Sequence, residues 1–94
     1  MKFLVTFDSV QHALRAEKML RDIQITTEMI PTPREISASC GQSLRFQEDV
    51  IMANILSAFN EAHVRYQKVF AVFSGRRYEE VASGTNPAKE RSDG

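Results

Sequence analysis

The 94-residue sequence predicts an α+β fold, a four-stranded antiparallel sheet with two helices on one face. Two observations predict it. Short β-branched and aromatic runs alternate with two stretches of helical periodicity, in the order β-α-β-loop-β-α-β. The length is that of one small domain, which buries only about two-thirds of the surface its unfolded chain exposes. A deep internal cavity is not expected in a core of that size.

"KFLVTF" (2–7) is apolar on both faces and reads as a central strand. "DS" at 8–9 supplies a helix N-cap. In the helix that follows, Val10, Ala13, Leu14, Met19 and Leu20 form the expected apolar stripe, ending near Ile23. "ITTEMI" (25–30) is strand-like, and Pro31 and Pro33 stop its ladder. Residues 31–42 form a loop, with room for one helical turn near "REISAS". "SLRF" (43–46) is a strand with Leu44 and Phe46 on one side and Ser43 and Arg45 on the other. "QED" opens the second helix, whose first turn suits acidic residues. Ile51, Ile55, Ala58, Phe59 and Ala62 make its core face, and Met52 and Leu56 add apolar surface beyond one sheet face. "HVRYQKVFAVF" (63–73) reads as the last strand.

This order fits the ferredoxin-like βαββαβ arrangement, with strands one and three in the centre. Residues 1–75 are the expected domain. Residues 76–94 are the expected flexible tail, polar from Ser83 onward and with one short turn at most around "YEEVA".

Composition narrows function. Twelve basic residues balance twelve acidic ones, which removes the electrostatic case for nucleic acid or an anionic membrane surface. The phenylalanines suit a core and lack the basic aromatic signature of an RNA-stacking sheet. No apolar run spans a bilayer, and the N-terminus does not read as a secretory signal. One cysteine excludes an intrachain disulfide, so a reduced, soluble, cytoplasmic protein is expected. His12 and His63 lack metal-ligand spacing, so no metal and no cofactor are expected, and His12 reads as an exposed helix residue.

The chemistry-bearing stretch is "IPTPREISASCGQSLRF" (30–46). Cys40 reads either as a small buried hydrophobe or as a thiolate activated by Arg34, Arg45 and backbone N–H groups. Gly41 is expected to turn the chain with positive φ. Ser37 and Ser39 add hydroxyls but have no base nearby in sequence. Arg34 and Glu35 are either an anion clamp with its partner or a surface ion pair.

Through "IPTPREIS", "SCG" and "LRF", and through "TFDS" with its helix, the chain resembles the Putative Se/S carrier protein-like family of small bacterial domains, over about residues 2–73. The matched positions are Pro31, Pro33, Arg34, Glu35, Ser39, Cys40, Gly41 and Arg45. Gln42 departs from the pattern, which has an aliphatic residue there. The resemblance implies that Cys40 carries sulfur or selenium as a persulfide-type group between donor and acceptor proteins. Arg34, Glu35, Ser39, Gly41 and Arg45 would then form its binding surroundings. That role is a carrier's rather than that of an enzyme with its own turnover. Two readings compete with it. One is a small-anion-binding or regulatory module, dimeric in some versions, with Cys40 incidental. The other is a thiol redox sensor working through mixed or intermolecular disulfides.

Overall fold

The computed structural model describes residues 2–36, 41–74 and 77–83. The elements are β1 (Lys2–Phe7), α1 (Val10–Asp22), β2 (Thr27–Pro31), β3 (Gln42–Phe46), α2 (Met52–Glu61), β4 (Lys68–Phe73) and β5 (Arg77–Ser83). The strands form one antiparallel sheet in the order β2-β3-β1-β4-β5. The fold is therefore α+β with two helices, and β1 and β3 lie inside the sheet. It departs from the expected four strands and βαββαβ order. A fifth strand covers the outer edge of β4, where the flexible tail was expected to start.

β5 is hidden in the sequence by its charges, since Glu79 and Glu80 favour strands poorly. Its register explains why it forms. Ala82 pairs with Val69 and packs on the core, while Glu80 pairs with Phe70 and reaches Lys68 Nζ at 3.5 Å. Val81 is the extra residue of a bulge between those pairs and is exposed. Arg77 lies over the Phe73 ring, 5.3 Å from its centroid.

Between sheet and helices, Val5, Phe7, Leu44, Phe46 and Val69 meet Ala13, Ala16 and Leu20 of α1 and Ile55 and Phe59 of α2. Phe59 meets Phe7 edge-on at 6.3 Å and Tyr66 at 5.7 Å. The other face of β1 is also withdrawn from solvent, with Leu4 and Thr6 buried. The reading of β1 as an inner strand therefore holds.

The helices differ from expectation in which residues they bury. Small residues, Ala13 and Ala16, bring α1 down onto the sheet, and Val10 and Leu14 are left about half exposed, at 48% and 51%. α2 starts at Met52 rather than within "QED". Gln47 is committed elsewhere: its N–H donates to Thr26 C=O at 3.2 Å and its Nε2 to Glu28 Oε1 at 3.1 Å. Ile51 then becomes an N-cap without a capping side chain and is exposed, while Met52 and Leu56 pack partly on the core. The last strand is shorter than "HVRYQKVFAVF" suggests, because His63, at φ 58, turns the chain out of α2 first. Gln24, at φ 67, does the same after α1. Each turn closes with a bond back to the helix, Val64 N–H to Phe59 C=O at 2.9 Å and Ile25 N–H to Leu20 C=O at 2.8 Å.

Candidate functional site

The stretch that carries the chemistry is the loop of a β2–β3 hairpin. The ladder ends at the pair Pro31↔Gln42. Just beyond it, Thr32 N–H donates to Gly41 C=O at 3.4 Å, and the hydroxyls of Thr32 and Ser43 lie 2.7 Å apart. Ser43 is fully buried, so this hydroxyl pair satisfies two polar groups at once and closes the loop's neck. On the near side of the loop, Ile36 N–H donates to Pro33 C=O at 3.0 Å. That bond makes a four-residue turn with Arg34 and Glu35, both exposed, at its tip. Arg34 makes no ion pair among the described residues, and it does not pair with Glu35.

Cys40 and Ser39, with Ser37, lie outside the described residues. Gly41, bonded to Cys40, is described. A Cβ placed on Gly41 would lie 3.6 Å from the carbonyl oxygens of both Phe7 and Asp8. The far side of the loop thus returns to the sheet against the end of β1, one residue before the α1 N-cap, Ser9. The positive end of the α1 dipole belongs to this corner. Gly41 does not have the expected positive φ, and the room for a Cβ is ordinary van der Waals contact. Gly41→Ala should therefore fold with stability within about 1 kcal/mol of the parent by denaturant titration. Loss of several kcal/mol would mean the corner is tighter than this contact indicates.

Arg45 lies elsewhere. It is four residues along β3 from Gly41, about 13 Å at roughly 3.3 Å per residue, on the face away from the helices. Its guanidinium is paired with Glu28 across the β2–β3 ladder, and Gln47 adds a second donor to the same carboxylate. The hydrogen bond from Arg45, then that from Gln47, then the Arg45 charge hold the Glu28 carboxyl below the usual carboxylate range. The contribution of a depressed carboxyl is present above its unfolded pKa and is lost as pH falls through its folded one. Glu28→Gln should therefore lower the melting temperature slightly at neutral pH, with the gap closing in acid. A gap that persists in strong acid would contradict this assignment.

His12, expected as an exposed helix residue, is only partly exposed and is engaged by its neighbours. His12 Nδ1 lies 3.2 Å from Asp8 Oδ1 and 3.0 Å from Ser9 Oγ, and Ser9 Oγ also accepts the His12 N–H at 3.3 Å. The i, i+4 spacing of Asp8 and His12 is visible in the sequence. What the sequence hides is that Gly41 packs on the backbone of the same Asp8. No group of three or more metal-ligating side chains occurs among the described residues. No described helix is long and apolar enough to cross a membrane.

Fold and corner together define a small α+β domain whose hairpin loop is anchored at a helix N-terminus. The family model described as Putative Se/S carrier protein-like matches residues 2–71, and the chain belongs to that family. No curated protein and no solved structure matches it.

Proposed function

We propose that this protein carries sulfur or selenium as a persulfide-type group on Cys40 and passes it between a donor and an acceptor protein. The observation that supports this most is the seat of Gly41, bonded to Cys40, on the Phe7–Asp8 backbone beside the start of α1. A cysteine reacts as its thiolate, and a helix N-terminus and a nearby cation both favour that form. Arg34, exposed and without an ion pair among the described residues, is the cation of the loop. Family membership supplies the cargo class. The reaction conserves oxidation state. The Cys40 thiolate attacks the outer sulfur of a donor persulfide R–S–SH, the donor S–S bond breaks, and R–S⁻ leaves with the electron pair.

Incubation with a cysteine desulfurase and cysteine, followed by intact-mass measurement, should show a gain of one sulfur in the parent and none in Cys40→Ser. A parent left as unmodified as Cys40→Ser across plausible donors would remove the main support for the carrier reading. Arg34, exposed and without an ion pair among the described residues, also favours a second reading, a small-anion site at which Cys40 is incidental. Anion-dependent melting that survives Cys40→Ser and disappears in Arg34→Ala would select it.

A further inference from the structure

We infer that the open cleft between the end of α1 and the start of β2 is a binding site for a small zwitterion, a free α-amino acid with an aliphatic side chain. This site is separate from the β2–β3 loop and does not depend on the carrier reading. The cleft has a volume of about 300 Å³. It is lined by Glu17 and Arg21 of α1, by Gln24 and Ile25 of the turn, and by Thr26 and Thr27 as the chain enters β2. That volume is at the low end for small-molecule sites and has room for one amino acid.

Backbone hydrogen bonds fix the walls. Gln24, at φ 67, turns the chain out of α1. Its N–H donates to Arg21 C=O at 2.9 Å, and Ile25 N–H donates to Leu20 C=O at 2.8 Å. On the other wall, Thr26 C=O accepts the Gln47 N–H at 3.2 Å. A cleft held in this way is formed before a ligand arrives, so little ordering entropy opposes binding.

The charges indicate what enters. Glu17 and Arg21 stand one helical turn apart, a spacing at which opposite charges ordinarily pair. They make no ion pair with each other or with any other described residue. The charges beside them are committed, Lys18 to Asp22 at 3.8 Å and Glu28 to Arg45 on the far face of the sheet. Glu17 is also partly buried. An α-amino acid carries its ammonium and its carboxylate on one carbon, so it meets Glu17 with the first and Arg21 with the second. The guanidinium takes a carboxylate through two parallel N–H donors. Ile25, partly buried and packed against the core, offers apolar surface to an aliphatic side chain. Thr27 Oγ1 is buried without a hydrogen-bond partner among the described residues, and a polar ligand group that reaches it relieves the cost of that orphan.

The probe is L-leucine, titrated into the isotope-labelled full chain and followed at the amide resonances of Ile25, Thr26 and Thr27. These resonances should shift and saturate, with half-saturation at or below about 1 mM. N-acetyl-L-leucine lacks the ammonium and L-leucinamide lacks the carboxylate, and each should bind at least about tenfold more weakly. Glu17→Gln and Arg21→Gln should each weaken L-leucine by at least about tenfold as well. Their melting curves should match the parent's, since neither side chain has an ion-pair partner to lose. Absent or non-saturating shifts with L-leucine overturn the site. N-acetyl-L-leucine binding as tightly as L-leucine overturns the zwitterion and the role of Glu17, as does full affinity in Glu17→Gln.

Discussion

Phe59→Ala should destabilise the protein by about 3–5 kcal/mol, enough to unfold a large fraction of a domain this small at ambient temperature. Phe59 is fully buried and links α2 to β1 through its edge contact with Phe7. Its ring also meets Tyr66, tilted, with centroids 5.7 Å apart, so truncation removes two aromatic contacts at once. The loss also reaches the loop. Phe7 pairs with Gln42, and its carbonyl is one of the two against which Gly41 rests. Chemical denaturation would measure the loss. A cost below about 1.5 kcal/mol would show that the core repacks freely around the site, against the packing described above.

The second large effect concerns the neck of the loop. Thr32→Val keeps the shape of the side chain but strands the Ser43 hydroxyl, which is fully buried, and should cost about 1–3 kcal/mol. Adding Ser43→Ala removes the stranded group and should recover part of that loss. The coupling in this cycle should therefore be clearly non-zero. Simple additivity of the two single costs would show that the hydroxyls do not hold one another. Hydrogen exchange at the Thr32 amide, which donates to Gly41 C=O, should also quicken in Thr32→Val.

Sequence legibility followed the range of the interactions involved. β1 was readable because both of its faces are apolar, and the span of α1 because Ser9 and Ile23 bracket it locally. The side of β3 that faces the core was readable from alternation alone, with Leu44 and Phe46 inward. β5 was not, because its stabilisation comes from what β4 offers it: Val69 for Ala82, Lys68 for Glu80 and the Phe73 ring for Arg77. The start of α2 was misplaced because Gln47 is held by Thr26 and Glu28 across the hairpin.

The same contrast holds for the candidate site. The sequence singled out the loop, with Arg34, Glu35 and Gly41 on it, and left the direction of Arg45 open. The opposing Glu28 on β2 settles where Arg45 is engaged. The approach of Gly41 to Asp8, which also meets His12, is not legible in the sequence, because Gly41 and Asp8 are remote along the chain.

The fifth strand has a consequence for solubility. β4 contains the run Val69–Phe70–Ala71–Val72–Phe73, five apolar residues without a charge or a proline. Uncovered, that run is the kind of strand that recruits other chains into β-aggregates. β5 occupies its hydrogen-bonding edge and presents instead a bulged strand carrying Arg77, Glu79 and Glu80. A chain cut at residue 75 would keep every element of the expected four-stranded fold and lose this protection. Residues 77–83 thus guard the sheet against self-association.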